Sequence, residues 1–229
     1  GHADALANDK AALKNLGIIT SHGFYTGGYD NRWYGSHTAV GTALVRSKKP
    51  GVHAWCTSTS WSKMDARFVK EIWGNIYEAQ VNGIIPWAGI QRPPLWIGGD
   101  PNPGCAFNVH EDGTYVVRPG YHFYKQVSRA GQPGMAVAHT ISMDSEIPVI
   151  AFSSNGTKNA DAFVVVNTSK EKNKPVVVKI TGTKSSHFKA FRTTEDEKDK
   201  YSEIGEFKVE NGELFYEAPK GSVTTFFAL

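Results

Sequence analysis

Hydrophobic and polar positions divide the chain into two parts with different periods. In the first part, short apolar runs alternate with longer stretches of helical spacing, the pattern of β/α units around a parallel sheet. Ala3 to Leu16 sets Leu6, Leu13 and Leu16 in an Ala-rich stretch that favours a helix, and Gly17 ends it. Ile18-Ile19-Thr20-Ser21-His22 reads as a buried strand. A Gly- and Tyr-rich loop follows from Gly23 to Gly35, after which Ser36 is placed to cap a helix reaching Lys48 and closed by Pro50. Val52 to Thr57 is the second strand. Met64, Phe68, Ile72 and Ile76 recur at four-residue spacing, with Val81 a turn later, and predict an amphipathic helix over Met64 to Val81. Asn82-Gly83 stops it, and Gly83-Ile84-Ile85-Pro86-Trp87 is the third strand. Ala88 to Arg118, rich in proline and glycine, reads as a long irregular segment, which in a compact domain is usually functional or a lid. Pro119 suits the first turn of a last helix that ends at Ala130.

From Gly134 onward the period falls to two. Apolar or alternating runs at Ala136–Ile141, Val149–Phe152, Ala162–Val166, Val176–Ile180, Phe188–Arg192, Phe207–Val209, Leu214–Tyr216 and Val223–Leu229 are separated by turn residues, Asn211-Gly212 being the clearest hairpin signal. They predict an antiparallel β-sandwich. The expected fold class is therefore α/β plus all-β: a partial (β/α) barrel of about three parallel strands with helices in residues 1–131, then a sandwich in residues 132–229. Three strands do not close a barrel, and open edges with apolar surface need a cover. A complementary N-terminal half, a second copy in a homodimer, or the Ala88–Arg118 segment would each supply one.

Composition alters this picture little. Hydrophobic residues make up 40% of the chain and charged ones 21%, as in an ordinary globular protein rather than a disordered one. The formal net charge of +3, without a Lys/Arg run, gives no ground for a nucleic-acid partner. No apolar run approaches membrane-spanning length, so no membrane partner is expected. Arg192 to Glu206 mixes charges of both signs and reads as a solvated hairpin tip. Cys56 and Cys105 leave one disulfide open as an option, lie in no metal-type cluster, and His53 and His110 lack metal-ligand spacing. No metal and no cofactor are expected. The chain opens Gly1-His2, and nothing there reads as a signal peptide, so location is not legible from that end.

In β/α barrels chemistry gathers at the C-terminal ends of the strands. Here those ends are His22, the Thr57-Ser58-Thr59 segment with Trp61, and Trp87. The loops after the first and third strands carry Tyr25, Tyr29, Arg32, Trp33 and Tyr34, then Gln91, Arg92 and Trp96. One imidazole, a group of hydroxyls and several rings on one face suit a cleft that stacks on pyranose rings and binds their hydroxyls. His22 equally suits a structural hydrogen bond, and Trp87 the top of a core. A Ser–His hydrolase built on Ser58 is disfavoured, since no Gly-x-Ser-x-Gly elbow surrounds it.

The order of these features resembles the C-terminal part of clan A glycoside hydrolases, of the family 30 type and the related galactocerebrosidase type. His22-Gly23-Phe24-Tyr25 is similar to the end of their sixth strand, Asn82 to Trp87 to their eighth, and Gly120 to Ser128 to the aromatic-rich helix before their sandwich. Their seventh strand carries the nucleophile in a Trp-x-Thr/Ser-Glu pattern. Laid on Trp55-Cys56-Thr57-Ser58, that pattern puts Ser58 in the nucleophile's place. The resemblance also implies an acid/base carboxylate on the fourth strand, before this chain begins. A retaining glycosidase needs two carboxyl groups about 5–5.5 Å apart, and a neutral hydroxyl supplies no anion to attack the anomeric carbon. Glu71 and Glu78 fall mid-helix on the outside of a barrel, and Asp30, Asp100, Glu111 and Asp112 lie in loops without a motif.

Three readings follow. The chain is the C-terminal portion of a retaining glycoside hydrolase acting on a polysaccharide or glycoconjugate, inactive alone. It is a degenerate hydrolase fold serving as a carbohydrate-binding module, with Tyr25, Trp33, Tyr34, Trp61, Trp87, Gln91 and Trp96 on the sugar. Or it is an interaction domain without a sugar site. Under the first two, carbohydrate is the partner and a secreted or extracytoplasmic location is implied. Asn155-Gly156-Thr157 and Asn167-Thr168-Ser169 match N-glycosylation acceptors, a short pattern of little weight.

Overall fold

Asn8-Asp9 divides the first predicted helix in two. In the computed structural model, which describes residues 2–21, 40–59, 65–91 and 105–229, α1 is His2–Asn8 and α2 is Lys10–Asn15. Asp9 leaves helical geometry and its carboxylate accepts from the backbone N–H groups of Ala11 and Ala12. A short acidic side chain competes in this way for the donors a continuous helix would use. The Lys49 ammonium satisfies the far end of α2, donating to the carbonyls of Leu13, Lys14 and Leu16 at 2.9, 3.1 and 2.7 Å.

Two compact units make up the chain: Gly1–Trp61 with Glu71–Val116, and Ser62–Lys70 with Val117–Leu229. The first holds the predicted parallel sheet, β1 (Ile18–Ser21), β2 (His53–Thr59) and β3 (Gly83–Pro86), in that order. Helix α3 (Val40–Lys48) follows β1, and α4 (Ala66–Tyr77) follows β2. In α4 the buried side chains are Ala66, Val69, Ile72 and Asn75, three apart, while Phe68 and Ile76 are only half-buried. The predicted four-residue row therefore runs along the margin of the buried stripe. The helix stops short of Val81 because Gln80 takes φ 56°, and the Val81 N–H turns back to the Asn75 carbonyl.

The sheet is locked at its N-terminal edge. Arg46 donates to the carbonyls of Val52 and Gln80 at 2.9 and 3.0 Å. The Asn82 side-chain oxygen accepts the Ala54 N–H at 2.9 Å while the Asn82 main-chain N–H donates to the Ala54 carbonyl. Gly83 leaves room there for the Trp55 indole, since a Cβ at that position would sit 2.7 Å from the ring.

The Ala88–Arg118 segment is less irregular than its sequence implies. It contains β4 (Ile90–Gln91), β5 (Phe107–Val109) and β6 (Tyr115–Val117), a three-stranded sheet in that order. Strands of two or three residues are too short to display an alternation. The turn between β5 and β6 is set by Asp112, which accepts from the Thr114 N–H and hydroxyl at 2.9 and 2.6 Å, and by Gly113 at φ 85°.

The second unit contains α5 (Pro119–Ala130), with Pro119 in its first turn as expected. Its sandwich has a six-stranded sheet, β12-β11-β14-β9-β8-β7, and a two-stranded sheet, β10-β13. The ranges are β7 Ala136–Ala138, β8 Val149–Ser153, β9 Ala162–Asn167, β10 Lys174–Lys179, β11 His187–Thr194, β12 Lys200–Lys208, β13 Glu213–Ala218 and β14 Ser222–Ala228. Every pairing in the two sheets is antiparallel. The supposed solvated stretch before Phe207 is in large part β12. Mixed charges hide its alternation, but Tyr201 stacks on Phe191 of β11 at 4.9 Å.

Between the two sheets Phe163 stacks on Phe226 at 4.7 Å, with Phe188, Phe207 and Tyr216 packed around them. The Tyr216 and Thr224 hydroxyls meet at 2.7 Å. All of β9 and most of β14 are buried on both faces, because α5 lies on the outer face of the larger sheet. Gln126 of α5 bolts it down: its amide donates to the Thr193 hydroxyl at 2.8 Å and accepts from the Thr225 hydroxyl at 2.6 Å. Asn167 is fully buried, its amide bonded to the carbonyls of Lys172 and Ala218, so the second glycosylation pattern is inaccessible in the folded chain. Among the described residues no helix is long and apolar enough to cross a membrane.

Candidate functional site

With the N-terminal edge of β1-β2-β3 tied, the C-terminal edge is left to the loops. Ser21 is the register partner of Cys56, Thr57 of Ile85, and Thr59 of Pro86. Ser58 is thus the extra residue of a bulge at the end of β2, a device common beside active sites. Trp87 follows β3 directly and is 39% exposed. The two sequence-derived candidates Ser58 and Trp87 therefore flank one register pair at the same edge. The Thr57 hydroxyl donates to the Ser21 carbonyl at 3.4 Å, joining the ends of β1 and β2.

Cys56, two residues before Ser58, is no substitute nucleophile. Burial pushes its thiol up to about 12, so at neutral pH it stays protonated and inert. No disulfide joins Cys56 to Cys105, and both are buried thiols. None of the three strands carries a carboxylate. Of the loop acids, Glu111 and Asp112 sit in the exposed β5–β6 turn. Hydrogen bonds from Thr114 hold the Asp112 carboxyl below its ordinary value, consistent with a turn-forming role. Glu71 belongs to α4 and Glu78 directly follows it.

Gln91 lies on β4, buried, with an Oε1 that meets no donor among the described residues. Its register partner on β5, Asn108, has a buried Oδ1 in the same condition. Native structures leave few such acceptors, and two in register mark this small sheet as unusual. The only signal of Asn108 in the sequence is a polar residue between Phe107 and Val109. His22, Tyr25, Trp33, Tyr34, Trp61 and Trp96 lie outside the described residues, as do Tyr29, Arg32 and Arg92. Among the described residues no three His, Cys, Asp or Glu side chains gather as a metal site.

No protein-family profile matches the chain, and no curated protein does. Solved structures do. A glycoside hydrolase family 30 endoxylanase from Clostridium papyrosolvens superposes over 99% of this chain with a TM-score of 0.74 at 20% identity. A family 30 subfamily 8 xylanase from Clostridium acetobutylicum gives the same TM-score, coverage and identity. A family 51 arabinofuranosidase from Xanthomonas axonopodis pv. citri covers 93% at a TM-score of 0.56 and 11% identity. The chain spans about half the length of these proteins, 52% of each xylanase and 50% of the arabinofuranosidase. A parallel β/α sheet followed by an antiparallel sandwich, superposing on half of such enzymes, is the fold of the C-terminal part of a family 30 glycoside hydrolase.

Proposed function

We propose that this chain is the C-terminal portion of a retaining glycoside hydrolase acting on a polysaccharide or glycoconjugate, and that alone it does not turn over substrate. The observation that carries this is the position of Ser58: a strand-end bulge where the resemblance puts the nucleophile, on a sheet whose three strands hold no carboxylate. Retaining hydrolysis needs one carboxylate to attack and a second group to protonate the leaving oxygen. In this reading the acid/base belongs to the N-terminal barrel half, outside residues 1–131, and residues 132–229 form the sandwich domain. That half, or a second copy of the chain, covers the open sheet. The substrates named for the neighbours make xylan the first polymer to try, and a secreted or extracytoplasmic location accompanies the reading.

A second reading, a non-catalytic carbohydrate-binding module, draws support from Trp87, which keeps an exposed ring at the strand edge. In either reading His22, Tyr25, Trp33, Tyr34, Trp61 and Trp96 are the further residues that the sequence assigns to the site.

Reducing-sugar release from xylans, β-glucans, galactans and mannans is measured for the chain alone, and for Ser58→Glu mixed with a family 30 N-terminal barrel half. The chain alone is expected to be silent and the mixture to gain activity. Hydrolysis by the unmodified chain alone would refute the assignment of Ser58. Retardation on one of these glycans in affinity electrophoresis, abolished by Trp87→Ala, with no activity in the mixture, selects the binding module.

A further inference from the structure

The outer face of the six-stranded sheet carries a second feature, wholly within the sandwich unit. Residues of β11, β12 and β14 alternate between the inter-sheet core, where Phe188 and Phe226 point, and this outer face. Helix α5 covers the outer face at Thr193 and Thr225. Beyond that cover the outward positions include Phe191, Tyr201 and Phe227, all only half-buried. A solvated face of an antiparallel sheet is ordinarily polar. Here Tyr201 and Phe191 are stacked within 12° of parallel, and Phe227 meets Phe191 edge-on at 5.9 Å. Together with Tyr121 and Tyr124 of α5 they bound a pocket of about 580 Å³, within the size range of small-molecule sites.

Three cations line the same pocket, Lys125, Arg129 and Lys189, and no acidic side chain does. Lys189 is neutralised by Glu203 at 3.2 Å. The other two lie beside rings: Lys125 Nζ is 4.3 Å from the centre of the Tyr201 ring, and the Arg129 guanidinium is near enough to the Tyr201 hydroxyl to favour its ionised form. Neither forms an ion pair among the described residues. His122, on the same helix, is held below its ordinary value first by burial and then by Lys200 and Lys125. A positive pocket walled by ring faces complements a ligand with a flat apolar face and a negative charge.

We infer that this pocket binds an acidic saccharide, a pyranoside ring packed against the aromatic wall of Phe191 and Phe227 with its carboxylate taken by Lys125 and Arg129. The saccharide class rests on the function proposed above, whereas the preference for an anion rests on the pocket alone. The site is separate from the strand edge of Ser58 and Trp87, which belongs to the other unit.

The test is titration of the whole ¹⁵N-labelled chain at low salt with trigalacturonate, its carboxyl-reduced neutral counterpart, and benzoate. The acidic sugar is expected to shift the amides of Tyr121 to Arg129, Phe191, Tyr201 and Phe227. Arg129→Gln and Lys125→Gln are each expected to weaken binding about tenfold, as loss of a charge-assisted hydrogen bond implies, with Arg129→Lys recovering part of it. Arg129 is exposed, so its variants leave folding intact. Equal binding of the neutral sugar, or no shift at these amides, overturns the inference; benzoate binding as tightly as trigalacturonate overturns the saccharide class. Trp87→Ala is expected to leave these shifts unchanged. Failure here thus leaves the strand-edge reading standing, and failure of the strand-edge assays leaves the anion preference standing.

Discussion

Removing the two ends of the Gln126 bolt has unequal costs. Gln126 is fully buried, yet its partners have alternatives. In Gln126→Leu the Thr225 hydroxyl still donates to the main-chain carbonyl of position 126, at 2.9 Å in the native chain. The Thr193 hydroxyl keeps the Tyr201 N–H at 3.0 Å and the His122 carbonyl at 3.3 Å. No polar group is orphaned, and a side chain of similar size fills the space, so the loss is about 1 kcal/mol. Thr225→Val is isosteric but strands the buried Gln126 Oε1 without its donor at 2.6 Å. An unsatisfied buried acceptor adds its desolvation penalty, bringing the loss to about 2–3 kcal/mol. All six tryptophans fall between positions 33 and 96, so their fluorescence is blind to the sandwich. Native-state hydrogen exchange of β9, β11 and β14 by mass spectrometry reads it directly. Thr225→Val should lower protection of the slowest amides about tenfold more than Gln126→Leu does. If Gln126→Leu proves equally or more damaging, the claim that its partners have alternatives is wrong.

Four more predictions concern other parts of the fold. Gly83→Ala puts a Cβ 2.7 Å from the Trp55 ring and should destabilise the first unit by about 1–3 kcal/mol, seen as a lower midpoint of urea unfolding by Trp fluorescence, while exchange in β9 and β14 is unchanged. His122 has a depressed folded pKa, chiefly through burial. The unfolded chain therefore takes up the proton first, and the stability His122 contributes is complete above its unfolded value, about 6.5, and lost as pH falls through the folded one. Thermal melts of His122→Gln should accordingly show a flatter fall below neutral pH than the native chain. Asn167→Ala removes amide bonds to Lys172 and Ala218 and the acceptor of the Ser169 N–H at 3.0 Å, and should cost about 2–4 kcal/mol. Peptide mapping of the folded protein from a glycosylating host should find no glycan on Asn167.

The periods in the sequence were sufficient for the parallel strands, for α5 and for most of the sandwich, because each of those elements buries one face and repeats its apolar residues accordingly. Pro119 and Asn211-Gly212 marked their boundaries because their backbone restrictions are local. The strand ends, and with them Ser58 and Trp87 as neighbours, followed from the same reading. What failed to show were features settled by partners distant in the chain. Asp9 broke a helix whose apolar spacing ran on, since capping competes with spacing only once the turn forms. β12 was masked by charges that are exposed on one side while Tyr201 finds Phe191. The short strands β4 to β6 hold too few residues to carry a period, so the buried amide oxygens of Gln91 and Asn108 came into register unannounced. Asn167 matched a surface motif, yet lies in the most buried strand. The pocket beside α5 gathers residues from four elements over more than a hundred positions between Tyr121 and Leu229; no local pattern encodes it, because only the packing of α5 across the sheet leaves those rings uncovered and sets two cations among them.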